Sequence, residues 1–131
     1  MADPCWTGGI SETKKIATMA EVYELPFTPH NAGGPVLHIV DSHLCINIPN
    51  LWMMESMRHN YQNFGDFVTR LPEIKNGYIT PLEGPGLGAE LKPELWERED
   101  ALIDTTAEGE VRDPEAQVYK QAGFGTSSPG G

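Results

Sequence analysis

Two observations predict a parallel α/β architecture for this chain. From Gly9 to Glu55 the pattern alternates helix, strand, helix, strand with almost no connecting loop, which is how parallel βα units read. A titratable side chain also falls near the end of each short extended segment: Asp3, His30 and Glu55. The length of 131 residues suffices for one domain with a sizeable core.

Each element has its own justification. Ser11 is placed to cap a first helix, with Ile10 just outside it and Glu12 in the first turn, where an acidic group is favourable. Within "SETKKIATMAEVYE", Ile16, Met19, Ala20 and Tyr23 share a face, while Lys14, Lys15 and Glu21 take the other. "LPFTPH" then reads as a short strand ending at His30, because its two prolines suit the interior of an antiparallel sheet poorly. "GPVLHIVDSHLCINIP" carries Pro35 near a first turn and Leu37, Val40, Leu44 and Ile48 along one side. It reads as a mostly buried helix that ends before Pro49. "NLWMMESM" is a second short apolar run, with Glu55 near its end.

After Arg58 the pattern changes. "HNYQNFGDFVTRL" fits a helix through Tyr61, Phe64, Phe67 and Val68, weakened by Gly65. Asn76-Gly77, flanked by Ile74 and Tyr78-Ile79, signals a short hairpin. "EGPGLG" is a loop; without a following Gly-Lys-Ser/Thr it is no phosphate-binding loop. "KPELWEREDALI" reads as a short helix, and from Thr105 onward the chain is polar with a flexible character. The divisions expected are 1–72, a barrel-like part; 73–104, an irregular C-terminal segment; and 105–131, a tail.

Composition bounds the function. A net charge of -10 leaves no Lys/Arg surplus for a phosphate backbone, so nucleic acid is not an expected partner. No apolar run has membrane-spanning length, and the first residues lack the basic and apolar regions of a signal peptide, so a cytoplasmic location is expected. Cys5 and Cys45 are too few for a disulfide framework and read as small core residues.

Side chains at the C-terminal ends of parallel strands converge on one face, where a packed strand holds the group and the loops are free to vary. Neighbouring strands lie about 4.8 Å apart, so groups on adjacent ends can meet. Each residue has an ordinary explanation taken singly: Asp3 as a turn residue, His30 as a surface group, Glu55 paired with Arg58. The set at matching ends is stronger than any member. His38 and His43 share no helix face well and read as core or surface residues. Arg58 reads as part of a surface ion pair, and Trp6 and Trp52 as core residues.

"DPCWTGGISETKKIATMAE", "LPFTPHNAGGP", "PNLWMME" and "NGYITPLEGPGLGAEL" resemble the C-terminal part of the enolase superfamily. The likeness is to its mandelate racemase and muconate-lactonizing branch, which includes acid-sugar dehydratases, and it covers about Asp3 to Leu91. In that family an aspartate stands five residues before a Gly-Gly pair at the end of the sixth barrel strand, a histidine ends the seventh, and a glutamate the eighth. Asp3 with Gly8-Gly9, His30 and Glu55 match these positions.

The resemblance implies a partial (β/α) TIM-type barrel made of the last three strand ends and their helices. It implies removal of a proton α to the carboxylate of a sugar acid, with His30 as base, Asp3 orienting the ring and Glu55 bonding the substrate carboxylate. It also implies Mg²⁺, whose family ligands come from the third to fifth strands and have no counterpart here. A complete barrel takes roughly 200 residues or more. The chain therefore reads as a fragment of a longer enzyme, inactive and self-associating alone because unpaired edges and apolar faces stay exposed. The alternative is a non-catalytic interaction module that retains a barrel segment.

Overall fold

Prolines and glycines set the frame of the molecule. The computed structural model describes residues 1–57, 61 and 63–98. Three extended segments lie side by side and run parallel: Ala2 is bridged to Pro29, and Phe27 to Leu51. The His30 N–H donates to the Ala2 carbonyl at 2.9 Å, the Phe27 N–H to the Asn50 carbonyl at 2.8 Å, and the Trp52 N–H to the Phe27 carbonyl at 2.9 Å. The expected strands "LPFTPH" and "NLWMME" thus appear as single parallel bridges rather than full strands. Pro26 and Pro29 have no N–H to extend a ladder, which shortens it to these contacts.

Helix α1 spans Ile10–Val22 and helix α2 spans Pro35–Cys45, and the two pack on each other. The N-cap of α1 is Gly9, not Ser11, which lies within the first turn. Gly8 and Gly9 have φ of 97° and 95°, a left-handed turn open to glycine at no steric cost. The Thr13 hydroxyl donates to the Gly9 carbonyl and pairs with the Thr7 hydroxyl, closing that turn.

The buried face of α1 differs from the expected one. Thr13 and Ala17 are buried, while Ile16, Met19 and Tyr23 are exposed, the last two at 66% and 73%. Small side chains let the helix approach closely, so Ala17 joins Ala2, Phe27, Leu44 and Ile48 in one core cluster with Leu51 packed against it. Asn50 fastens α1 further, its amide nitrogen donating to the Ala17 and Leu25 carbonyls. Trp6 and Trp52 are also exposed rather than core, as is Cys5; Cys45 is buried.

Pro35 occupies the first turn of α2, and the helix ends at Cys45, earlier than expected, although Leu37, Val40, Leu44 and Ile48 are all buried. His38 is a core residue, ringed by Tyr61 and Phe64 at centroid distances of 5.1 and 5.9 Å, and burial lowers its pKa. His43 is half-buried, its Nε2 donating to the Leu87 carbonyl.

Strands β1 (Glu73–Lys75) and β2 (Tyr78–Thr80) form the hairpin that Asn76-Gly77 signals, with Lys75 opposite Tyr78. Residues 61, 63 and 64 are helical, and Val68 bridges back to Leu91. "KPELWEREDALI" contributes a 3-10 helix over Pro93–Glu97. Arg58, the remainder of that last segment from Glu99, and the 105–131 tail lie outside the described residues.

Candidate active site

The bridged segments bring the three sequence-predicted residues together. Asp3 follows the Ala2 bridge directly and is buried; its main-chain carbonyl accepts the N–H groups of Trp6 and Thr7, each at 3.0 Å. One carboxylate oxygen, Oδ1, accepts the Cys5 N–H at 2.8 Å, and the other, Oδ2, lies 2.9 Å from His30 Nδ1. A carboxylate can only accept, so the Nδ1 of His30 carries the hydrogen. The lone pair of the neutral ring is then on Nε2.

Nε2 lies 3.7 Å from Glu55 Oε2, too far for a hydrogen bond. The side chains of His30 and Glu55 are both about two-fifths exposed, at 42% and 41%. Glu55 is positioned from the neighbouring segment, its Oε2 accepting the main-chain N–H of Asn31 at 2.9 Å. The result is a basic nitrogen reachable from solvent, backed by one acid and faced by another. The hydrogen bond to Asp3 is the main reason the His30 pKa is raised, with the charges of Glu55 and Asp3 adding to it and desolvation opposing it.

Two further residues belong to this site and were missed in the sequence. Asn31 and Asp41 are fully buried, and the Asn31 amide nitrogen donates to Asp41 Oδ2 at 2.6 Å. The signal for Asp41 was present: an acid within the apolar run "HIVDSHL". Burial pushes its carboxyl up to about 7, opposed by the hydrogen bond from Asn31.

The folded protein therefore holds this proton in a pH range where the unfolded chain, with an ordinary value of 3.8, has released it. Stability is lost as pH rises from about 4 to about 7 through this group. Asp41→Asn is expected to raise the thermal midpoint by about 5 °C or more at pH 8 and to change it little at pH 4, by circular dichroism melts at the two pH values.

The family profile described as "Enolase C-terminal domain-like" matches residues 1–95. The arabinonate dehydratase of Saccharolobus solfataricus is 34% identical over 95 residues, 72% of this chain and 25% of that protein. The D-galactonate dehydratase of Cronobacter sakazakii is 37% identical over 93 residues, 66% of this chain and 24% of that protein. The chain thus spans about a quarter of the length of these relatives. An enolase of the mandelate racemase subgroup from Agrobacterium tumefaciens superposes with a TM-score of 0.69 at 47% identity, over 74% of this chain and 27% of that one. The chain belongs to the enolase superfamily, in its mandelate racemase and muconate-lactonizing branch, as part of the C-terminal domain.

Proposed function

We propose that this chain carries the proton-handling segment of a sugar-acid dehydratase, completing a (β/α) barrel whose other strands lie outside it. The observation that carries the reading is the His30 ring, held at Nδ1 by Asp3 at 2.9 Å with Nε2 turned toward Glu55. The relatives named as arabinonate and D-galactonate dehydratases support the substrate class.

Membership of the family implies Mg²⁺ in general. Among the described residues no group of three His, Cys, Asp or Glu side chains is placed to hold a metal ion. Asp3 has both oxygens committed, to Cys5 and His30, and Glu55 is bound by Asn31. The three site residues do not fit the ion.

The His30 imidazole removes the proton α to the carboxylate. The C–H electron pair moves into the carboxylate to give an enediolate, and Asp3 stabilises the imidazolium that forms. Glu55 and the substrate carboxylate share a proton between them, and that hydrogen bond stabilises the developing enediolate. The imidazolium then returns its proton to the departing β-hydroxyl, which leaves as water while the C–O bond breaks. The enol left behind becomes a 2-keto-3-deoxy acid. Racemisation or cycloisomerisation would share the first step and differ only in what leaves.

The test is a screen of pentonates and hexonates with Mg²⁺ on a full-length enzyme carrying this segment, followed by NMR in D₂O. Formation of a 2-keto-3-deoxy acid is expected for at least one aldonate, and no product for the chain alone. Exchange of the α-proton for deuterium with no loss of water would replace dehydration by racemisation. Neither exchange nor product with any aldonate would overturn the reading.

A further inference from the structure

Directly beneath the acid, imidazole and acid lies a pair that the mechanism leaves unused. Asp41 projects from the middle of α2, between the buried Val40 and Ser42, and is itself fully buried. Its electrostatic neighbours are Asp3, Glu55 and His30, with Cys45 one turn further along the helix. Among the described residues only one of its oxygens is engaged, Oδ2 by the Asn31 carboxamide; Oδ1 is buried and has no hydrogen-bond partner there.

An acid in such a place is costly. Desolvation disfavours its charge, and nearby Asp3 and Glu55 add repulsion. An apolar side chain at position 41 would continue the face formed by Leu37, Val40 and Leu44. Burial of this kind is weak evidence for stability, so the group is better explained by what it holds.

What it holds is Asn31. The contact with Asp41 is the one hydrogen bond made by the Asn31 side chain among the described residues, since Asn31 Oδ1 has none. Asn31 is also the residue whose main-chain N–H holds Glu55 Oε2. It follows His30 and opens the turn through Ala32, Gly33 and Gly34, where two adjacent glycines restrain the backbone least. Fixing the Asn31 side chain from below therefore fixes the direction of its N–H above.

We propose that Asp41 is a positioning residue: through the Asn31 carboxamide it sets the Asn31 N–H that holds Glu55 opposite His30 Nε2. This rests on reading Glu55 as the partner of His30, but not on which reaction the pair serves.

The test is NMR on the full chain and needs no substrate, so it stands apart from any failure of the sugar-acid assay. In Asp41→Ala the hydrogen exchange of the Asn31 main-chain amide is expected to rise about tenfold, the loss of about one hydrogen bond. The His30 ring titration should move to lower pH, because Glu55 is no longer held beside it and the charge of Asp41 itself is gone. Asp41→Asn keeps an acceptor oxygen in nearly the same shape and should restore the Asn31 protection, while the His30 titration recovers only in part because the charge of Asp41 stays removed. Ala17, in α1 and remote from the pair, should keep its protection throughout. Glu55→Ala, at a half-exposed position that does not endanger folding, should raise Asn31 exchange to the same degree. Unchanged Asn31 exchange in Asp41→Ala or in Glu55→Ala would overturn the proposal. So would an Asp41→Asn protein as loose at Asn31 as Asp41→Ala.

Discussion

Replacing His30 by asparagine in a full-length enzyme carrying this segment is expected to lower kcat for the best aldonate by about 10²–10⁴-fold, with KM little changed. The size follows from the geometry. His30 Nε2 faces Glu55 at 3.7 Å, while Nδ1 is taken by Asp3, so Nε2 is the ring nitrogen with a lone pair to offer. Asparagine leaves a polar side chain beside Asp3 but has no basic nitrogen. Binding of the substrate carboxylate, assigned to Glu55, should survive.

The pH profile gives a second readout. Because Asp3 raises the His30 pKa, the base is lost to protonation at a pH above the ordinary imidazole value of 6.5, and kcat/KM should fall as pH drops through that point. Asp3→Asn should move this limb to lower pH, since the hydrogen bond to Asp3 is the largest cause of the rise. Normal turnover in His30→Asn would remove His30 from the role of base.

The site was legible in the sequence because it depends on order along the chain. Parallel segments joined by helices put their ends on one side, so Asp3, His30 and Glu55 could be grouped before any coordinates, and their contacts of 2.9 and 3.7 Å follow from the bridges at Ala2–Pro29 and Phe27–Leu51. The hairpin was legible for a similar reason: Asn76 at φ 53° and Gly77 at φ 81° take the left-handed conformations that this dipeptide tolerates. Asn31 and Asp41 were not legible as a pair. They are ten residues apart, and only the angle at which α2 leaves the glycine turn makes them neighbours.

The packing of α1 failed for a different reason. Periodicity identifies an apolar stripe but does not say which side of the helix meets the core. Ile16, Met19 and Tyr23 form the more hydrophobic stripe, yet the closest approach is made by Thr13 and Ala17, whose small side chains bring the helix against Phe27. Trp6 and Trp52 depart from the core placement expected of them for a similar reason, since a residue adjoining an extended apolar run can face either way, and both are exposed.

The core residue whose truncation should cost most is Phe27. It is 3% exposed and is the largest side chain of a cluster otherwise made of Ala2, Ala17, Leu44 and Ile48. Its main chain is also paired, donating to Asn50 and accepting from Trp52, so the phenyl ring and the parallel bridge are tied at one position. Phe27→Ala is expected to cost about 3–5 kcal/mol, the sum of lost burial and of a cavity that two alanines cannot fill. Small domains are stable by only about 5–15 kcal/mol, so the variant should lose most of its cooperative urea transition. The same segment carries His30, so loss of the Phe27 anchor should also release the ring from Asp3 and lower its titration midpoint. Met19→Ala supplies the contrast. At 66% exposure it should change stability by no more than about 0.5 kcal/mol. If α1 instead packed through its Ile16 and Met19 stripe, the two variants would exchange ranks, and urea titration of the pair would show it.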